Sequence, residues 1–306
     1  MRRLAPFLVP LALAACAPEP VGPLAPIAKE QVTPAPALEA SAARRAVVAF
    51  VHAYAHSARV GVGPLVDLVA GNELLAWVRW LGVQHREFTG TVEATADIHD
   101  VEFVSTVQAG RANGAQVALA ASVTFDFAPE GADPFQRTRF LDGPVTLVRT
   151  DDGRFRVIDL VRDGVPMSDA IQLFRNERRT EGDLTVTLDS LFMFPPNWQF
   201  NVVVENRGDR TAFLDLEGVA LFVRQDDAFE RLGGVITRSL AGVPAGGTVD
   251  GILAYPSQGS ADGRVLTLVY GGGDEALRFE FPLDDLVRAI PPPPPTGQAP
   301  VTEAAG

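Results

Sequence analysis

The sequence predicts an α+β block followed by an all-β block, and three observations support this fold class. Apolar residues follow a helical period over 38–58, they alternate over 117–127, and short alternating segments recur after residue 183. Helices come first and runs of antiparallel strands follow, which is an α+β layout rather than an alternating α/β one.

The first predicted element is a helix over Leu38–Ala58, because the apolar side chains from Val47 to Tyr54 recur at i, i+3 and i+4. A second helical stretch runs over Pro64–Leu81 and is interrupted near Gly71. These helices precede every predicted strand.

Strands are predicted next. Thr89–Val107 is β-like, and Val117–Phe127 places alternate apolar residues on one face. Val145–Arg149 and Phe155–Leu160 flank the turn Asp151–Gly153, and an Asp-Gly pair between alternating segments is a strong hairpin signal.

This order of elements over residues 38–175 resembles the NTF2-like (SnoaL-like) superfamily, in which N-terminal helices pack into the concavity of a strongly curved antiparallel sheet. The resemblance implies a cone-shaped pocket, in which relatives with enzymatic activity carry Asp, His or Tyr. The candidate pocket residues are therefore Tyr54, His99 and Asp126. The alternatives are that His99 lies in an exposed polar turn beside Asp97 and that Asp126 is solvated.

The second block contains seven strand candidates separated by turn residues, which predicts an antiparallel β-sandwich. They are Leu184–Phe192, Trp198–Glu205, Val219–Arg224, Gly234–Ser239, Thr248–Tyr255, Arg264–Val269 and Ala276–Phe281.

The amino-acid sequence of the second block is similar to that of Ig-like extracytoplasmic domains of the DUF4352 type. That family has a long strand that ends in an Asn-x-Gly-Asp turn, then a Pro-x-Gly turn leading into a strand with a central glycine. The matching residues are Asn206, Gly208, Asp209, Pro244, Gly246 and Gly251. The family is structural in character and implies no catalytic residues.

The N-terminus has the organisation of a secretory signal. Arg2 and Arg3 precede the uncharged stretch Leu4–Ala15, which is shorter than the roughly 20 residues of a membrane-spanning helix. Leu13 to Cys16, sequence LAAC, resembles the bacterial lipobox. The resemblance implies cleavage before Cys16, a diacylglycerol thioether on its sulfur and a fatty acyl chain such as palmitate on its amine. The alternative is an ordinary secretory signal, but Cys16 is the only cysteine.

The predicted domain organisation has five parts. They are a lipoprotein signal peptide (1–15), a Pro/Ala-rich tether (16–37), an NTF2-like α+β domain (38–178), an Ig-like β-sandwich (183–288) and a disordered Pro-rich tail (289–306).

No residue pattern predicts catalysis or a cofactor. His52 and His56 have metal-sharing i, i+4 spacing, but Ala53 stands where a zincin motif has Glu, and no third ligand is identifiable. We therefore expect no metal, no cofactor and no enzymatic activity. The formal net charge of −12 argues against nucleic acid as a partner.

The sequence thus predicts an extracytoplasmic lipoprotein, attached to the cell membrane by lipid on Cys16. Ala17, which is not the retaining Asp, favours the outer membrane if the bacterium has one. We expect a non-catalytic binding, scaffolding or assembly role with an envelope protein as partner. The alternative is an anchored enzyme or a small-ligand carrier that uses an NTF2-like pocket.

Overall fold

The computed structural model describes residues 37–109, 112–175, 177–225, 228–258, 260–272, 275–284 and 286–287. The predicted leader, Cys16, the tether up to residue 36 and the predicted tail lie outside the described residues. No helix within the described part is long and apolar enough to cross a membrane.

The helices are α1 Ala37–Val60, α2 Gly63–Val66, α3 Asn72–Glu87 and α4 Met167–Ala170. The strands up to residue 181 are β1 Gly90–Ala109, β2 Ala112–Pro129, β3 Phe135–Phe140, β4 Gly143–Arg149, β5 Phe155–Arg162, β6 Val165–Pro166, β7 Ile171–Leu173 and β8 Arg178–Glu181. The later strands are β9 Leu184–Phe192, β10 Asn197–Asn206, β11 Ala212–Phe213, β12 Ala220–Gln225, β13 Ala228–Leu232, β14 Val235–Ile236, β15 Gly242–Val243, β16 Thr248–Pro256, β17 Arg264–Tyr270 and β18 Leu277–Pro282.

Helices α1 to α3 confirm the helical interpretation of the N-terminal part. Phe50, Val51 and Tyr54 are buried on one face of α1, as their spacing predicts. The predicted interruption occurs at Gly71, whose φ of 85° is readily adopted only by glycine and which immediately precedes α3. Trp77 on α3 lies in the same core as the α1 face.

The first sheet is antiparallel and has the order β1-β2-β4-β5-β6, with β3 also paired to β2. Alternate side chains of β2, including Val117, Val123 and Phe125, are buried in the core that contains α1 and α3. Register shifts in β1 near Ile98 and near Phe103 mark bulges, which bend a strand and increase its twist.

The second block consists mainly of two antiparallel sheets, ordered β14-β16-β10-β9-β7 and β13-β12-β17-β18. Trp198 and Phe200 from the first of these sheets share one hydrophobic cluster with Leu266 and Phe279 from the second. The chain is therefore rich in antiparallel β structure, as predicted. Strands β7 and β8 pair with β9, so this block draws strands from before residue 183.

One predicted strand, Gly234–Ser239, is mostly not a strand. Only Val235 and Ile236 pair with β16, and a 3-10 turn follows over Arg238–Ala241. The reason lies in Thr237, whose Oγ1 accepts a hydrogen bond from the backbone N–H of Ile252 at 2.8 Å. A side chain thus replaces the strand partner that a longer β14 would supply.

Helix α3 links the first block to the second. The ring of Trp80 stacks on Phe192 with centroids 5.1 Å apart, and its Nε1 donates to Gln199 Oε1 at 3.1 Å. At the end of α3, the Glu87 carboxylate accepts backbone N–H bonds from Arg238 at 2.8 Å and Ser239 at 3.0 Å. These contacts bring the β16 sheet against α3 and form one wall of a cavity.

Candidate functional site

A cavity of about 360 Å³ lies between the face of β2 and β3, the helix α3 and the sheet that contains β16. This volume is at the lower end of the range of about 300–1,000 Å³ typical of small-molecule pockets. Residues from sequence positions as distant as Tyr54 and Ala254 line it. The cavity is therefore formed by residues of both blocks together with α3.

Aromatic side chains form a continuous row along the cavity. Tyr54 contacts Phe125 at a centroid distance of 5.4 Å, and Phe125 is 6.1 Å from Phe127. Phe127 stacks on Phe135 at 4.8 Å and meets Phe88 edge-on at 5.4 Å. This row of rings gives the cavity an extended apolar wall that suits a hydrophobic ligand.

Basic side chains line the same cavity because of the register of β3 on β2. Phe135 pairs with Phe127, and Arg137 pairs with Phe125. Side chains alternate along a strand, so Arg139 lies on the same face as Phe135 and Arg137. All three line the cavity, and Arg139 faces the same carboxylate, Asp163, as the buried Arg162, so we call this region the buried end of the cavity.

Arg162, the last residue of β5, is a buried cation that lines the cavity. It is 3% exposed, and its guanidinium carbon lies 3.7 Å from the ring centroid of Phe194. Its Nε is 3.6 Å from Asp163 Oδ2 and has no hydrogen-bond partner among the described residues. The cation is thus stabilised by the ring face of Phe194 and by the carboxylate of Asp163, which lies beyond hydrogen-bond distance of the Nε.

Asp163 is shared between two arginines. Its φ of 51° is left-handed, a conformation that Asp tolerates better than most residues. Its Oδ1 accepts from the Phe140 N–H at 3.0 Å, and its Oδ2 accepts from Arg139 at 3.1 Å. Two guanidinium groups therefore face one carboxylate, and this end of the cavity carries an excess positive charge.

Burial affects ionisation at this end of the cavity. Desolvation raises the pKa of the Tyr54 hydroxyl above its usual value, and the charges of Arg162 and Arg139 oppose that rise. Desolvation also lowers the pKa of Arg162, although a guanidinium remains charged in proteins. Tyr54 is therefore a neutral hydrogen-bonding group beside a buried cation at neutral pH.

His85 on α3 also lines the cavity. Burial lowers the pKa of His85, and a hydrogen bond to the backbone of Ser57 partly opposes this effect. Its Nδ1 is buried without a hydrogen-bond partner among the described residues. His85 is therefore neutral at pH 7.

The ionisation of His85 predicts a pH-dependent stability. Below about pH 6.5 the unfolded chain binds a proton at His85 more readily than the folded chain, so acidification destabilises the fold. We expect the free energy of unfolding, measured by urea denaturation, to fall less between about pH 7.5 and about pH 5.5 in His85→Gln than in wild type. His52→Gln, at an exposed position on α1, is the control. An identical pH profile in all three proteins would contradict the burial of His85.

The structure places the sequence-predicted pocket residues in different locations. Tyr54 is 3% exposed and lines the cavity. His99 lies on β1 with its ring exposed, 3.7 Å from Asp97. Asp126 is exposed and accepts a hydrogen bond from Gln136 at 2.7 Å, because it alternates with two inward phenylalanines on β2. His99 and Asp126 do not line the cavity.

The two histidines with metal-sharing spacing are exposed on α1. The Nδ1 of His56 lies 2.8 Å from the backbone oxygen of His52. Among the described residues, no group of three His, Cys, Asp or Glu side chains is arranged to hold a metal ion.

Sequence reasoning missed Arg139, Arg162 and His85. A signal for Arg139 exists in the segment FQRTRF, where alternate residues place one phenylalanine and two arginines on one strand face. Arg162 ends a hairpin strand, a position where a basic residue is usually solvated.

Comparison of the chain with protein-family models and with curated proteins found no match. The fold and the cavity define the class in physical terms: an antiparallel β-rich protein with a cavity lined by aromatic and basic side chains.

Proposed function

We propose that the protein is a membrane-anchored cell-envelope lipoprotein whose folded body binds a small apolar molecule without transforming it. The observation that supports this proposal is the cavity of about 360 Å³, with its row of aromatic side chains and a few convergent polar groups. Such a combination is typical of ligand-binding pockets. Among the functions that the sequence leaves open, which include scaffolding, catalysis and ligand carriage, we therefore propose ligand carriage.

The anchor rests on the sequence. Two or three acyl chains on Cys16 would hold the protein stably on a membrane, whereas a single chain gives marginal attachment. A Pro-rich tether extends at about 3 Å per residue and would hold the cavity some tens of Å from the membrane surface. We propose an extracytoplasmic location, on the outer membrane if the bacterium has one.

The anchoring proposal predicts that Cys16→Ala abolishes lipid attachment. The wild-type chain is expected to incorporate radiolabelled palmitate and to fractionate with membranes. The variant is expected to incorporate none and to appear in the soluble fraction, because it lacks the acceptor sulfur. Ser41→Ala, on α1, is the control and should behave as wild type. Membrane fractionation of unlabelled Cys16→Ala would contradict the proposal.

Two family assignments belong to the same proposal. Helices α1 and α3 share a core with the first sheet, and a cavity opens beside them, which supports an NTF2-like interpretation of the first block. Two antiparallel sheets with a shared apolar cluster support an Ig-like interpretation of the second block.

A neutral fluorescent probe tests ligand binding. We expect N-phenyl-1-naphthylamine emission to rise when the full chain carrying Cys16→Ala is added, since the probe enters the aromatic cavity. Ala58→Phe, which fills the cavity from α1, should remove the increase. Arg59→Phe adds the same ring at the exposed neighbouring position and should leave the increase in emission unchanged. Equal emission with both variants would contradict binding in this cavity.

Scaffolding with an envelope protein as partner is the second candidate function. Phe213, the last residue of β11, is 67% exposed, and Leu216, three residues further on, is 61% exposed. Neighbouring exposed apolar side chains are typical of protein contact surfaces. Loss of a cross-linked envelope partner in Phe213→Ser would favour this function over ligand carriage.

A further inference from the structure

The charge balance at the buried end of the cavity identifies a missing counter-charge. Arg139 and Arg162 face the single carboxylate of Asp163, so these three side chains carry a net charge of one positive unit. His85 and Tyr54 are neutral and do not offset it. Arg162 is the buried member, whereas the side chains of Arg139 and Asp163 are each 31% exposed. A buried cation that shares its counter-charge with a second cation is unfavourable, and an anionic group placed there would complete its charge pairing.

The other charged residues of the lining do not supply this counter-charge. Glu87 lines the cavity, but its two oxygens accept the backbone N–H groups of Arg238 and Ser239. Arg137 adds positive charge at the exposed edge, where its guanidinium carbon lies 5.4 Å from the Phe135 ring centroid. The cavity is therefore positive along its β3 wall.

The orientation of Arg162 suits a planar anion. Phe194 covers one face of the guanidinium at 3.7 Å, which leaves the N–H groups in the guanidinium plane for other partners. The Nε is buried and lies 3.6 Å from Asp163 Oδ2, too far for a hydrogen bond, so its N–H has no hydrogen-bond partner among the described residues. A guanidinium binds a carboxylate through two parallel N–H bonds in that plane. Tyr54, which interacts electrostatically with both arginines, can donate a further hydrogen bond from its hydroxyl.

The rest of the cavity requires an apolar ligand body. Phe125, Phe127 and Phe88 continue from Tyr54 through successive ring contacts of 5.4 to 6.1 Å. An ion lodged among these rings would lose hydration without gaining partners. One net positive unit also matches a monoanion better than a dianion such as a phosphate monoester.

We propose that the ligand is a small amphipathic monocarboxylate, with its carboxylate bound between Arg162 and Arg139 and its apolar body along the aromatic row. This inference rests on the proposed function, because it assigns a ligand class to the same cavity. Aliphatic and aromatic carboxylates share the required chemistry.

Displacement of N-phenyl-1-naphthylamine from the full chain carrying Cys16→Ala tests the inference. Decanoate is compared with decanol, and 1-naphthoate with 1-naphthalenemethanol, so each pair differs in charge at similar size. We expect the better acid to displace the probe at a concentration about 10- to 100-fold lower than its alcohol, the range expected for charge-assisted hydrogen bonds. The pair with the larger difference identifies the body as aliphatic or aromatic.

Variants locate the effect. Arg162→Met, of similar length and uncharged, should retain probe binding and lose the preference for acid over alcohol. If Arg162→Met does not fold, Arg139→Gln provides the test, because the Arg139 side chain is 31% exposed. It should reduce the preference for acid over alcohol. Arg44→Gln, exposed on α1, should leave it unchanged.

The outcomes separate the two proposals. Absence of probe binding to the parent chain would overturn the proposed function. Probe binding with equal displacement by acid and alcohol would overturn only the carboxylate inference. Stronger displacement by decyl phosphate than by decanoate would assign a dianion instead, and an unchanged acid preference in both folded arginine variants would place the anion elsewhere.

Discussion

Replacing Trp77 with alanine is expected to lower the free energy of unfolding by about 3–5 kcal/mol, the usual cost of removing a buried tryptophan. Trp77 is 1% exposed, and its ring centroid lies 5.0 Å from that of Tyr54 and 6.2 Å from that of Phe50. The substitution would leave a void between α1 and α3. Urea denaturation followed by circular dichroism measures the change.

Trp77→Phe provides a graded comparison. The indole Nε1 of Trp77 is buried without a hydrogen-bond partner among the described residues, so phenylalanine loses apolar volume but no hydrogen bond. We therefore expect a smaller loss than for alanine. Val60→Ala, at a position that is 55% exposed, should change stability by less than about 0.5 kcal/mol. Equal, small effects at Trp77 and Val60 would contradict the packing of α3 on α1.

The secondary structure could largely be predicted because its signals are local. Predicted Leu184–Phe192 has the same bounds as β9, and the predicted hairpin around Asp151–Gly153 matches β4 and β5. Periodicity and turn residues act within a few positions, so one sequence is enough to detect them. The strand prediction for Gly234–Ser239 failed because the backbone N–H of Ile252 donates to the side chain of Thr237, a contact between residues 15 positions apart.

The cavity could not be predicted because its parts are distant in sequence. Arg162 is covered by Phe194, a residue of the second block that shares a hydrophobic core with α3. Tyr54 was accessible to prediction, since its helical spacing places it on the inner face of α1. His85 follows the inner positions of α3, but nothing in the local sequence distinguishes a half-buried histidine from a solvated one near a helix end.

The second large effect is expected at Gly251, the central glycine of β16. A Cβ built there would lie 2.5 Å from Thr237 Oγ1 and closer still to Leu240 Cγ. Gly251→Ala is therefore expected to destabilise the protein by about 1–3 kcal/mol through overpacking. The glycine that the sequence pattern singles out thus has a steric role, since it admits the 3-10 turn against β16.

The same measurement on Gly63→Ala is the matched control. A Cβ at Gly63 in α2 meets nothing within 4 Å, and alanine favours a helix, so stability should be unchanged or slightly higher. If Leu240 causes the clash at Gly251, Gly251→Ala should cost less in a Leu240→Ala background than in wild type, which a double-mutant cycle measures as coupling. If the effects of Gly251→Ala and Leu240→Ala are additive, the clash is with Thr237 alone. Thr237→Ala would then reduce the loss of stability caused by Gly251→Ala. In either case the stability of the second block depends on close packing against Gly251. The same packing places Thr237 in the cavity wall, so the absence of a side chain at Gly251 serves both the fold and the candidate site.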